Sequence, residues 1–124
     1  MRPSDRKYTK EHEWVLEDDD EVTVGITDYA SEELGDIVYL DLPEEGATVT
    51  AGESMGSIET VKAVEEIYAP ASGEISAVNG DLADAPEKVN DSPYEDGRLV
   101  KIKDAADFAE LRSADEYDGM VSGA

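Results

Sequence analysis

SMGSIETVKAVEEIYAPASGEI, residues 54–75, contains a single lysine, Lys62. The nearest basic residues on either side are Lys10 and Lys88, and residues 11–87 carry 22 Asp and Glu against that one cation. This stretch decides the fold because its residues can be read two ways. Ile58, Val61, Val64 and Tyr68 fall near helical spacing, and the Glu, Lys and Ala between them favour helix. No Gly, Asn or Asp marks a hairpin turn at Val61-Lys62. Periodicity alone therefore leans to a helix over 57–68.

Outward from this stretch the punctuation is clearer. HEWVL (12–16) reads as a short strand, Asp18-Asp19-Asp20 as a polar turn, and EVTVGI (21–26) as a period-2 strand with one buried face. DYASEEL (28–34) reads as a short helix capped by Thr27 or Asp28 and stopped by Gly35. DIVYLDL (36–42) is a strand ended by Pro43, followed by short strands at 47–50 and, after the Pro70 turn, at 73–78. Residues 84–89 predict one helical turn, 98–103 (RLVKIK) a strand, and 104–111 a helix capped by Asp104 with Phe108 and Leu111 on one face. The tail, 119–124, is expected to fray. GDIVYL (35–40) and GEISAV (73–78) echo one another faintly, as in a barrel or sandwich with two similar halves.

The chain has 124 residues and no linker, which is one domain's worth. It has no cysteine and one histidine, His12, so thiolate chemistry, a His-based metal site and a Ser-His-Asp triad lack material. Redox chemistry must come from something attached or bound. The net charge of -22 argues against nucleic acid and anionic membranes, both of which need a basic footprint. With 40% apolar residues the chain is not a disordered acidic segment; it reads as a folded domain with the solvated acidic surface of proteins that work in concentrated salt. The N-terminus has no secretory h-region and no apolar run reaches membrane-spanning length, so a cytoplasmic location is expected.

Lys62 has three readings. It could be a surface lysine paired with Glu59, Glu65 or Glu66, but such pairs are worth little and do not explain why it is alone. It could be a Schiff-base amine, but neighbouring carboxylates stabilise its charged form. It could be a covalent attachment point, which needs exposure and a rigid frame but no lowered pKa.

The frame Glu59-Thr60-Val61-Lys62-Ala63, followed by Tyr68-Ala69-Pro70-Ala71-Ser72-Gly73-Glu74, resembles the lipoyl-attachment signature of the glycine cleavage system H protein family. KYTKEHEW (7–14), GITDYA (25–30), LGDIVYLDLPEEG (34–46), NDSPYEDG (90–97) and VKIK (100–103) repeat further landmarks of that family in order, so the likeness spans about residues 7–118. A biotin carrier would show a Met-Lys-Met frame, and lipoyl domains of 2-oxoacid dehydrogenases lack the HEW opening.

The resemblance implies a mainly β fold, a flattened lipoyl-domain-like barrel or sandwich with a few short flanking helices, and it places Lys62 at a hairpin tip. It implies lipoic acid attached as N6-lipoyl-lysine at Lys62. It also implies a non-catalytic carrier that takes an aminomethyl group from glycine decarboxylase, a pyridoxal-phosphate enzyme, to aminomethyltransferase and is reoxidised by dihydrolipoamide dehydrogenase. Glu59 and Gly73 sit where the lipoate-attaching enzyme reads its substrate. Glu13, Glu66 and Glu11 match the carboxylates of the cleft that receives the loaded arm. Each has a plainer reading: acidic surface for the glutamates, a positive-φ turn for Gly73, and core for Trp14. Two departures stand out. Arg98 replaces the family's usual Trp, and Glu33 stands where some members carry His. An H-like protein that relays lipoate to other lipoyl domains, and an unmodified acidic interaction module, are the competing readings.

Overall fold

The computed structural model describes residues 3–122. Its strands are β1 (Lys7–Tyr8), β2 (Glu13–Asp18), β3 (Glu21–Ile26), β4 (Ile37–Asp41), β5 (Thr48–Val49), β6 (Ser54–Thr60), β7 (Val64–Tyr68), β8 (Ser72–Val78) and β9 (Val100–Ala106). The helices are α1 (Asp28–Leu34), α2 (Lys88–Asp91) and α3 (Ala114–Ser122), with a 3-10 turn at Gly80–Ala83.

The alternating EVTVGI run becomes β3, which buries Val22, Val24 and Ile26 and lies near the middle of a six-stranded sheet ordered β1-β2-β3-β9-β8-β5. The second sheet is β4-β6-β7. All pairings are antiparallel, and the two sheets do not close into a barrel. Val15, Val24, Ile75 and Ile102 of the larger sheet share one apolar core with Ile37, Leu40, Ile58 and Ile67 of the smaller. Burial of this shared core is the main stabilising contribution. The mainly β sandwich with short flanking helices is therefore the observed fold. GDIVYL and GEISAV fall in different sheets, as β4 and β8.

Helix α1 is a local prediction that holds in detail, as β3 is. Thr27 caps it, accepting from the Ala30 amide at 3.1 Å, and Gly35 ends it at φ 78.

Elsewhere tertiary pairing overrides local preference. The helix favoured by periodicity at 57–68 does not form; β6 and β7 make a hairpin there. Ile58 is buried while Val61 and Val64 are exposed, so the helically spaced residues do not share a buried face. The predicted helix at 104–111 is also absent. β9 continues to Ala106 against Ser72 of β8, and the Ala105 and Ala109 amides donate to Asp20 and Pro70 carbonyls. Asp104 and Asp107 have φ of 54 and 52, and Phe108 is exposed. The helix begins instead at Ala114, behind a capping box: the Ser113 hydroxyl accepts from the Glu116 amide, and the Glu116 carboxylate accepts from the Ser113 amide. Residues 119–122 thus belong to α3, while 123 and 124 lie outside the described residues. The turn expected at 84–89 is displaced to Gly80–Ala83 and Lys88–Asp91 on either side.

Gly73 is not a positive-φ turn. It sits within β8, and a Cβ there would come within 2.6 Å of Ile102 Cγ2 and of the Lys103 carbonyl, so close strand approach requires the glycine. Arg98 stays exposed, and the chain entering β9 is held by the Leu99 amide on the Val24 carbonyl and by Asn79 bridging the Asp96 and Arg98 carbonyls.

Candidate functional site

The turn joining β6 to β7 is pinned by one hydroxyl. Thr60 Oγ1 accepts from the Lys62 amide at 3.1 Å and the Ala63 amide at 3.0 Å, while the Thr60 amide donates to the Ala63 carbonyl at 2.8 Å. A threonine side chain thereby replaces the Asn-Gly chemistry that the sequence lacks. Thr60 itself is buried, so the exposed Lys62 stands on an anchored mount. Among the described residues, no carboxylate lies within ion-pair distance of Lys62, and none of the pairs with Glu59, Glu65 or Glu66 forms. Its side chain leans over the end of α1, where a methyl built on Gly35 would lie 4.0 Å from Lys62 Cε.

Beside α1 and β7 runs an open cleft of about 330 Å3. Its apolar wall includes Ile26, Ala30, Leu34, Ile58 and Ile67, and its polar wall carries five carboxylates: Glu11, Glu13, Glu33, Glu65 and Glu66. Among the described residues, no lysine or arginine lines it. Among the described residues the acids do not converge into a metal-binding group.

Glu13 is the buried member, with 3% of its surface exposed. Its carboxylate accepts from the Tyr68 amide at 3.0 Å and the Thr9 hydroxyl at 3.1 Å, tying β2 to β7. Burial pushes its pKa up to about 8; the two hydrogen bonds oppose the rise, and the nearby Glu11 carboxylate adds slightly to it. Glu33 faces Tyr29 one turn earlier on α1 and raises the pKa of its phenol by hydrogen bonding.

His12 turns the chain into β2 with φ 69. Its Nδ1 lies 2.7 Å from the Tyr117 hydroxyl, which lies 2.8 Å from the Thr27 hydroxyl that caps α1. Helix α3 is thereby connected to the cleft wall and to the first turn of α1.

The sequence of residues 6–123 matches the family model described as Glycine cleavage H-protein. The chain belongs to the glycine cleavage H-protein family. It is 50% identical over 121 residues to a probable glycine cleavage system H protein of the halophile Natronomonas pharaonis, covering 97% of this chain and 96% of that one. The glycine cleavage system H protein of Chromohalobacter salexigens is 54% identical over 123 residues, covering 97% and 94%. Among solved structures, the glycine cleavage system H protein of Mycobacterium marinum superposes with a TM-score of 0.94 at 42% identity, covering 98% and 99%.

Placed in the H-protein fold, Glu11, Glu13 and Glu66 line one cleft. Glu59 lies on the exposed outer face of β6 beside the hairpin tip, and Gly73 lies in the other sheet. Sequence reasoning did not reach Thr60, Thr9, Glu33 and Glu65 as parts of the site. Glu33 had a readable signal, four residues after Tyr29 on one helix face. Thr60 had a local one too, since its hydroxyl accepts from amides two and three residues on, as in a Ser/Thr turn; Thr9 enters only through Glu13, whose other partner, the Tyr68 amide, is distant in the chain. Trp14 is core, 1% exposed, with its indole N–H on the Pro93 carbonyl at 3.0 Å. No helix among the described residues is long and apolar enough to cross a membrane.

Proposed function

We propose that this H-protein family member carries lipoate in amide linkage on Lys62, serving as the non-catalytic carrier of aminomethyl groups between glycine decarboxylase and aminomethyltransferase, with dihydrolipoamide dehydrogenase as its reoxidising partner. The observation that carries the proposal is the exposed Lys62 on a Thr60-pinned tip beside a cleft lined, among the described residues, by five carboxylates and no lysine or arginine. When attached, the cofactor supplies the disulfide that a chain without cysteine lacks. Amide formation removes the lysine charge, so the arm has no attraction to the surrounding acids until it holds a cationic cargo.

The chain's own residues then bind and shield. Glu11, Glu33, Glu65 and Glu66 offer accessible charge to an ammonium group, and Glu13 offers a carboxylate whose ionisation is favoured once a cation is beside it. The apolar wall suits a hydrocarbon arm. Glu59 is proposed as a contact of the lipoate-attaching enzyme. Gly73 acts there only indirectly, by allowing β8 to approach β9. A lipoate relay would use the same lysine, but the five carboxylates of the cleft favour a positively charged cargo.

Intact mass and peptide mapping of protein purified from its native host test the attachment. A lipoyl increment on the peptide holding Lys62, abolished in Lys62→Arg, is the expected result, followed by glycine-dependent loading. A bare Lys62 in a host that lipoylates its other carriers overturns the proposal.

A further inference from the structure

Five large apolar side chains are exposed among the described residues: Val38, Tyr39, Val61, Val64 and Phe108. Four of the five belong to the three-stranded sheet or its hairpin tip. Scattered exposed apolar residues need no explanation, but a concentration of them beside a functional lysine does. Local geometry creates this one. β4 pairs with β6 at Ile37↔Thr60 and Tyr39↔Glu59, and the register shifts between Ile37 and Tyr39. Two residues of β4 thus oppose one of β6, as in a β-bulge. Ile37 and Leu40 still point into the core, and Val38 and Tyr39 both end on the outside, 45% and 55% exposed. β6 pairs in turn with β7 at Glu59↔Val64. Directly paired residues share a sheet face, so Tyr39, Glu59 and Val64 form one row, with the carboxylate between two apolar groups. Val61, 69% exposed, and Val64, 62% exposed, bracket Lys62.

We infer that this face, Val38, Tyr39, Glu59, Val61 and Val64, is the docking footprint for the decarboxylase that loads the Lys62 arm, whose matching face is an apolar collar bearing a lysine or arginine against Glu59. The inference rests on the carrier reading of Lys62. A catalyst that receives the arm is brought up to the hairpin tip, and the footprint is continuous with that tip. A second copy of this chain is disfavoured as occupant, because it brings another net charge of -22 and an identical Glu59. Nucleic acid and anionic membrane are repelled for the same reason. What remains complementary is a protein face that is apolar at its centre and basic opposite Glu59, with aromatic Tyr39 as the anchor.

The footprint has a further consequence in salt. Long-range attraction from the acidic surface is screened, whereas apolar burial is not weakened. Docking through this face is therefore expected to persist at high ionic strength.

The test uses the lipoylated chain with glycine decarboxylase. Tyr39→Ser and Val64→Ser are expected to raise the KM for the carrier roughly tenfold, the size of losing one interface anchor, with kcat essentially unchanged. Phe108→Ser, at the one large apolar side chain exposed outside this sheet among the described residues, is expected to leave both parameters alone. The wild-type KM is expected to change little between roughly 0.2 and 2 M KCl, because the Debye length is already below about 8 Å at the lower limit and apolar burial is not screened. Unchanged melting of each variant excludes unfolding as the cause. An unaltered KM in both sheet variants, an equal effect from Phe108→Ser, or a KM that climbs steeply with salt overturns the footprint. Direct calorimetric binding of the unlipoylated chain to the decarboxylase separates the two readings. Loss of affinity in Tyr39→Ser without any glycine-dependent loading in wild type retains the footprint and refutes the carrier cycle, whereas no binding at all refutes the footprint.

Discussion

Replacing Glu13 by Gln probes the most unusual electrostatic feature of the molecule. The carboxyl titrates near 8 in the fold against an ordinary value of 4.5, because burial penalises its charge more than the Tyr68 and Thr9 hydrogen bonds repay. An acid with a raised folded pKa binds more protons folded than unfolded. Its contribution is therefore intact below about pH 4.5, is lost as pH rises toward 8, and levels off above. The shift from 4.5 to about 8 corresponds to a loss on the order of 4–5 kcal/mol across that window. Glutamine keeps a carbonyl oxygen for the Tyr68 amide and cannot ionise, so Glu13→Gln is expected to show a much flatter stability curve and to exceed wild type by several kcal/mol at about pH 8. The assay is urea unfolding at fixed high salt between about pH 5.5 and 8, comparing wild type with Glu13→Gln so that groups common to both cancel. Parallel curves for wild type and Glu13→Gln would refute the reasoning, since the carboxyl would then be no harder to ionise folded than unfolded. A corollary concerns cargo: a cation placed beside Glu13 lowers its pKa, so glycine-dependent loading at pH 7 is expected to release a proton that Glu13→Gln does not, measurable by a pH indicator in weak buffer.

Other perturbations test the mount and the packing. Thr60→Val removes the hydroxyl holding the Lys62 and Ala63 amides and is expected to cost about 1–2 kcal/mol, with faster hydrogen exchange at those amides and slower lipoate attachment. Gly73→Ala forces a methyl to within 2.6 Å of Ile102 and the Lys103 carbonyl, and is expected to destabilise by about 1–3 kcal/mol in chemical denaturation. Added salt is expected to raise the melting temperature, because screening relieves repulsion among 32 acids; a melting temperature indifferent to salt contradicts that.

Local rules were sufficient where the deciding atoms lie within one turn of chain. Helix α1 is the example, since Thr27 and Gly35 cap it at the positions the sequence marks. Ser113 and Glu116 carry an equally local capping-box signal for α3, yet Asp104 offered a competing cap. The contest was decided by the Asp20 and Pro70 carbonyls, which draw residues 105–109 into extended pairing. A helix cannot form where its amides already donate elsewhere.

By itself, the sequence determined that Lys62 stands alone among acids, that strands lie on either side of the Asp18-Asp19-Asp20 turn with one buried face on 21–26, and that redox chemistry must come from outside the chain. These are statements about composition, short-range alternation and motif spacing. Only the tertiary structure decided that 57–68 folds back as a hairpin, because β6 pairs with the distant β4, and Ile58 and Ile67 find their partners across the sandwich. It alone made Glu13 unlike the other acids. A carboxylate's character is set by how much water it keeps, and water is removed from Glu13 by residues far from it in the chain, such as Tyr68 on the facing sheet.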